Sequence, residues 1–134
     1  MTGVCDPEDL VTIALCGDVM TGRGIDQILS HPSDPQLHEH YIKSALDYVA
    51  LAEARNGPIP RKTTPSYIWG DALQTISERA PDAFIANLET AVTRSDAFAP
   101  KGINYRMNPE NIDCLTEGGL DCCVVANNHI LDWG

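Results

Sequence analysis

Three short polar groups carry the residue types from which metal-assisted hydrolysis is built. Gly17-Asp18 follows the apolar run 10–16 (LVTIALC), Asn87-Leu88-Glu89 closes the run 83–87 (AFIAN), and Asn127-Asn128-His129 follows 121–126 (DCCVVA). Asp18 and Glu89 offer carboxylates, Asn128 an amide oxygen and His129 an imidazole. That mixture suits a divalent Mn, Fe, Zn or Mg ion better than a thiophilic metal. A metal ion in such a setting polarises a phosphoryl oxygen and lowers the pKa of bound water, and an imidazole beside it can act as general acid toward a leaving group. Taken singly, each group has an ordinary reading. An Asp after a strand is often a helix cap, Asn and Glu near strand ends form turns and surface pairs, and a lone His is most often structural. The weight of the argument lies in three such groups at three consecutive strand ends.

Elements that put them there can be read from the apolar pattern. The runs 10–16, 83–87 and 121–126 read as strands; the first is nearly continuous, as expected of a sheet covered on both faces. Three glycines within 17–24 (GDVMTGRG) mark a sharply turning loop, with a helix beginning at 25–29. Apolar residues at Tyr41, Ile42, Ala45, Leu46, Val49 and Ala52 repeat with a helical period across 37–55. Segment 31–65, bounded by HPSDP and NGPIPRKTTP, is an excursion from the α/β pattern: a substrate-facing flap or, in the ordinary reading, a variable surface insertion. Residues 71–79 form another helix, 104–107 a short strand, and Asn108-Pro109 caps and starts a helix that ends near Gly118-Gly119. The resulting order is an α/β one, in which ligands bind beyond the carboxyl ends of strands. The triplet His38-Glu39-His40 is not a metal motif, since positions two apart do not share a helix face; it reads as a solvated helix start.

Composition limits the partners. The chain has 134 residues, 43% hydrophobic and 21% charged, with a formal net charge of −10 and pI near 4.5. Nine basic residues are scattered among 19 acidic ones, so nucleic acid and anionic membranes are repelled. No apolar run reaches the roughly 20 residues that a membrane span needs. The N-terminus lacks the basic and apolar regions of a signal peptide. Five cysteines, an odd number with no CxxC, argue against a disulfide framework or a thiolate zinc site and for a reducing, cytoplasmic setting. Cys16, Cys122 and Cys123 read as small buried hydrophobes.

The motifs GDVMTGR (17–23), NLET (87–90), the stretch from Lys101-Gly102 to Tyr105-Arg106, and ANNHILDWG (126–134) resemble those of the capsule-synthesis protein CapA family, across nearly the whole chain. That family is associated with poly-γ-glutamate capsule biosynthesis and is related to the calcineurin-like metallophosphatases. The resemblance implies the N-terminal part of an α-β-β-α sandwich. It implies that Asp18, Glu89 and Asn128 ligate metal and that His129 acts on the leaving group. Asp132 would hold the His129 imidazole in one tautomer, with a turn carboxylate as its alternative. Arg23 and Arg106 are candidate substrate anion binders, with ion pairs as theirs; Lys101 reads as an ion pair. Asn87 is a further substrate-side candidate, or else shapes its loop.

Two departures from the superfamily pattern stand out. Met20 occupies the position where metallophosphatases carry the histidine of Asp-x-His, and the later histidine ligands have no counterpart within 134 residues. The expectation is therefore a truncated fold holding about half of a site, poorly soluble or oligomeric by itself. Two functional expectations follow. One is a metal-dependent phosphoesterase-type hydrolase linked to capsule or polyglutamate metabolism, acting on a phosphoester or anionic polymer. The other is a non-catalytic protein that binds anionic polymer or assembles with capsule or polyglutamate synthase components. The resemblance also implies association with the bacterial envelope.

Overall fold

The computed structural model describes residues 10–134; the readings made for the N-terminus and Cys5 lie outside them. Three parallel strands form the central sheet: β1 (Ile13–Val19), β2 (Ala83–Leu88) and β5 (Cys122–Val124), in the spatial order β1-β2-β5. Alternation in β2 sends Phe84, Ala86 and Leu88 into the core, while Ala83, Ile85 and Asn87 face the other way. Between β1 and β2 the chain forms α1 (Gly24–Ile28), α2 (Ala45–Asn56), a 3-10 turn (Pro65–Trp69) and α3 (Ala72–Arg79). After β2, two-residue strands β3 (Ala91–Val92) and β4 (Arg106–Met107) pair in parallel. A 3-10 turn (Pro109–Asn111) and α4 (Asp113–Thr116) then lead into β5.

The core is Leu29, Leu88, Met107, Cys114 and Leu115, with Val19, Ile25, Ile68, Val92, Leu120 and Cys123 packed around it. The Trp69 indole donates to the Cys114 carbonyl at 2.7 Å and packs edge-on to Phe84, which ties the first 3-10 turn to one face of the sheet. Asp26 is a second organiser. It is 1% exposed and accepts from the Ser33 amide at 2.6 Å, the Asn108 amide at 2.9 Å and the Asn111 side chain at 3.0 Å. One carboxylate thereby joins α1, the excursion and the turn before α4.

Several expectations are corrected. The first strand does not stop at Cys16: a bulge between Cys16 and Asp18 carries it through Val19, so Asp18 lies within β1, opposite Asn87. The helix in the excursion starts at Ala45, not Leu37. Ser44 caps it by accepting from the Leu46 amide at 3.2 Å, and 37–43 is a loop closed by a Gln36–Ser44 bridge. Tyr41 and Ile42 share the helical period but precede the cap. Glu39 is accordingly not on a solvated helix start; it is 2% exposed and paired with Arg23. The helix expected from Pro109 to Gly118 divides into a 3-10 turn and a single α turn. The sheet is not covered on both faces among the described residues. Ile13, Leu15 and Val124 are 53%, 77% and 45% exposed, and Cys16 and Cys122 are exposed as well. Among the described residues the buried free cysteine is Cys114, with Cys123 half-buried.

Candidate functional site

Parallel pairing with matched register brings the three polar groups to the same end of the sheet. A continuous run of amide bonds joins them. The Asn87 side chain donates to Asp18 Oδ1 at 2.8 Å, and the Asn127 side chain donates to Asn87 Oδ1 at 3.0 Å and to the Leu88 carbonyl at 2.9 Å. Asn127 Oδ1 in turn accepts the backbone N–H groups of His129 and Ile130 at 3.0 and 3.1 Å, capping the turn after β5 and fixing where His129 begins. Asn87 thus works within the protein framework, and Asn127 rather than its neighbour spans the strands. Asn128 is exposed at the turn, and its carbonyl accepts the Lys101 ammonium at 2.6 Å.

His129 is held on three sides. Its Nδ1 lies 2.7 Å from Asp132 Oδ2, and its ring stacks on Tyr105 with centroids 4.1 Å apart. Its Nε2 faces Glu89 Oε1 at 3.6 Å. Asp132 is 1% exposed and is satisfied by the Tyr105 amide at 2.7 Å as well as by Lys101, with which it forms an ion pair. An ionised carboxylate only accepts, so Nδ1 carries the ring proton. Nε2 is then the nitrogen turned toward Glu89, the arrangement a proton-transferring histidine needs. Lys101 does form an ion pair, as read from the sequence, but its partner is the residue that orients His129. Tyr105 was not singled out, although the motif 101–106 contains it.

The two carboxylates at the strand ends influence each other. The Asn87 amide and a hydrogen bond from the Glu89 carboxyl hold Asp18 below the usual range. Glu89 is pushed up by its hydrogen bond to Asp18, by desolvation and by the Asp18 charge. Of the two, Glu89 is the more readily protonated. Carboxylate oxygens are the donors a hard divalent cation takes, and Asp18 and Glu89 are the residues that would hold one. Among the described residues no three His, Cys, Asp or Glu side chains converge as a ready ligand set.

The two arginines sit elsewhere. Arg106 is engaged by Asp96 and the Ser95 carbonyl, each at 2.7 Å, and lies 3.9 Å over the Trp133 ring; none of these belongs to the His129 cluster. Arg23 pairs with Glu39 and lies 4.8 Å over both Tyr48 and Tyr105, one ring away from His129.

Comparison with known proteins agrees with the motifs. Residues 12–134 match the family described as Bacterial capsule synthesis protein PGA_cap. The chain is 49% identical over 127 residues to a probable polyglutamine synthesis accessory protein of Mycobacterium tuberculosis, in strain CDC 1551 / Oshkosh and again in strain ATCC 25618 / H37Rv. The match covers 94% of this chain and 33% of each relative, so the chain spans about a third of the length of the curated relatives it matches. No solved structure matches. With three polar groups brought to one end of a parallel sheet and a family match over 12–134, the chain belongs to the bacterial capsule synthesis (CapA-like) family.

Proposed function

We propose that this protein supplies part of a metal-dependent phosphoester hydrolase site that serves capsule or polyglutamate metabolism, on a calcineurin-like α-β-β-α framework. The single observation that carries this is the meeting of Asp18 and Glu89 at one end of the sheet with a carboxylate-oriented histidine, whose Nε2 lies 3.6 Å from Glu89. Asp18 and Glu89, joined by Asn128, would hold the divalent Mn, Fe, Zn or Mg ion. That ion, when bound, supplies charge to a phosphoryl oxygen and acidifies water. The chain's own groups do the rest. Asn87 and Asn127 keep the strand ends in register, so that Asp18 and His129 stay at a fixed separation. Asp132 stabilises the imidazolium that forms if His129 takes up a proton, and His129 can return that proton to a leaving oxygen. The Tyr105 ring shields one imidazole face from water.

A second reading is a binding or assembly role toward an anionic polymer or synthase components. Two observations favour it: Met20 in place of a metal-ligating histidine, and the word accessory in the name of the Mycobacterium relatives. No helix among the described residues is long and apolar enough to cross a membrane.

Metal content and hydrolysis of bis(p-nitrophenyl) phosphate, measured on the protein at its relatives' length, separate the two readings. The hydrolase reading expects one or more equivalents of metal and turnover. His129→Ala should lower that turnover by about a hundredfold or more, the range for losing a general acid, and Asp18→Ala should lower both bound metal and turnover. Metal-free protein, or turnover indifferent to both substitutions, overturns it.

A further inference from the structure

Arg23 is held under conditions that a simple ion pair does not require. Its backbone takes φ 53°, ψ −126°, a conformation that costs a non-glycine residue about 1–3 kcal/mol. Its side chain is 11% exposed. Glu39, itself 2% exposed and receiving the Tyr48 hydroxyl at 3.2 Å, fixes the Nη2 edge of the guanidinium. The buried Nε has no hydrogen-bond partner among the described residues. A buried donor left unpaired is unfavourable, and here it belongs to a cation whose orientation is already fixed.

Beside this arginine lies a cavity of about 280 Å³ between α1 and α2. Met20, Ile25, Ile28, Val49, Ala52 and Ile59 form its walls, and Arg23 is the one charged side chain among its lining residues. An apolar cavity of about 150 Å³ already accepts benzene. Arg23 also lies 4.8 Å over the ring of Tyr105, which stacks on His129.

We infer that the cavity between α1 and α2 receives the alkyl or aryl part of an amphipathic phosphate, whose anionic head is met by Arg23, the one charged side chain in its lining. The apolar walls give the tail its binding energy through desolvation, while the charge of the Arg23 guanidinium selects the head. Small walls at Gly22 and Gly24 keep the loop close to its neighbours: a Cβ at Gly24 would stand 3.3 Å from Tyr48 Cβ. The inference deepens the phosphoester reading by assigning the class of leaving group or ester substituent, and it rests on that reading only for the choice of phosphate as the head.

The test is a titration of the unmodified protein, without added metal, with n-alkyl phosphates from butyl to octyl. Inorganic phosphate and n-octanol serve as controls, read by methyl NMR of Ile25, Ile28 and Ile59. Affinity should rise roughly three- to fourfold per methylene, as for burial of one CH₂, until the cavity is full. Octyl phosphate should exceed octanol by at least tenfold. Arg23→Gln should remove that preference and leave octanol binding unchanged. If Arg23→Gln fails to fold, the wild-type chain-length series and octanol comparison decide. Affinity independent of chain length, equal binding of octanol and octyl phosphate, or shifts confined to Ile13 and Ile85 on the open sheet face would overturn the inference. Because no turnover is read, a protein that hydrolyses nothing can still show the series, and a competent hydrolase can still lack it.

Discussion

At the scale of single residues, Asp132 and Lys101 should separate by function despite touching each other. Asp132 sets the His129 tautomer through Nδ1; Lys101 offsets the charge of a carboxylate that is 1% exposed. Asp132→Asn replaces a pure acceptor with a group that also donates. The neutral ring is then free to carry its proton on Nε2, and imidazole ¹⁵N shifts should report that change. Lys101→Met should leave the tautomer in place and lower stability by about 1–3 kcal/mol, the range for removing one partner of a charged hydrogen bond. Loss of the Nδ1–H tautomer in Lys101→Met would refute this division. Cysteines give a second contrast. Cys16 and Cys122 are exposed and Cys114 is buried, with desolvation pushing the Cys114 thiol up to about 12 from 9.0. Mapped alkylation at mildly alkaline pH should label the first two and spare Cys114 until the protein unfolds. A folded-state pKa raised above the unfolded value means that the thiol form favours folding. That contribution is complete below about pH 9 and is lost as pH rises toward 12. A denaturation midpoint flat across that interval would contradict it.

At the scale of elements, the glycine-rich loop is fixed by a close approach that only a missing side chain permits. A Cβ at Gly22 would stand 2.9 Å from both the amide nitrogen and the carbonyl oxygen of Arg106, and backbone in a paired strand cannot yield as a side-chain tip can. Gly22→Ala should therefore cost about 1–3 kcal/mol, displace β4 and the Tyr105 ring beside it, and broaden the His129 resonances. A urea midpoint equal to wild type would show that the loop has slack. The same contact explains what was legible in the sequence. Glycines in 17–24 announced a tight loop, and the alternation in 83–88 announced β2, because both signals are local. The end of β1 was misplaced because the bulge at Gly17 lets a strand continue through residues that read as a turn. The start of α2 was misplaced because Tyr41 and Ile42 carry a helical period that the Ser44 cap overrides. Strands β3 and β4 have two residues each, too few for any period. The role of Asp26 depends on partners as far away as Asn108 and Asn111, and no local pattern encodes that. The proximity of Asp18, Glu89 and His129 at one end of the sheet was legible from motif and strand order together. The choice between Asn127 and Asn128 was not legible, because only the turn geometry shows which amide reaches across to Asn87.

At the scale of the whole molecule, the sheet presents one covered and one open face. Phe84, Ala86 and Leu88 lie beneath helices and turns, while Ile13, Leu15, Ile85 and Val124 lie on the opposite side, three of them 45% exposed or more. Register places Leu15, Ile85 and Cys122 in one row across the strands, so the apolar groups form a continuous strip. Soluble monomers rarely leave a strip of this kind uncovered, and β1 and β5 also offer unpaired strand edges among the described residues. With each curated relative about three times as long as the matched region, further sequence is the natural cover in those proteins. For the 134-residue chain alone we expect concentration-dependent self-association through this strip, visible as a rising weight-average mass in sedimentation velocity. Leu15→Lys combined with Val124→Thr should shift that association to markedly higher concentration, since a charge in the middle of the strip must be desolvated for two faces to meet. The same pair should leave the Cys114 protection pattern unchanged, because neither residue touches the core cluster around Met107. A chain that stays monomeric at every concentration, or a double variant that associates as strongly as the parent, would place the association elsewhere and leave the open face without a role.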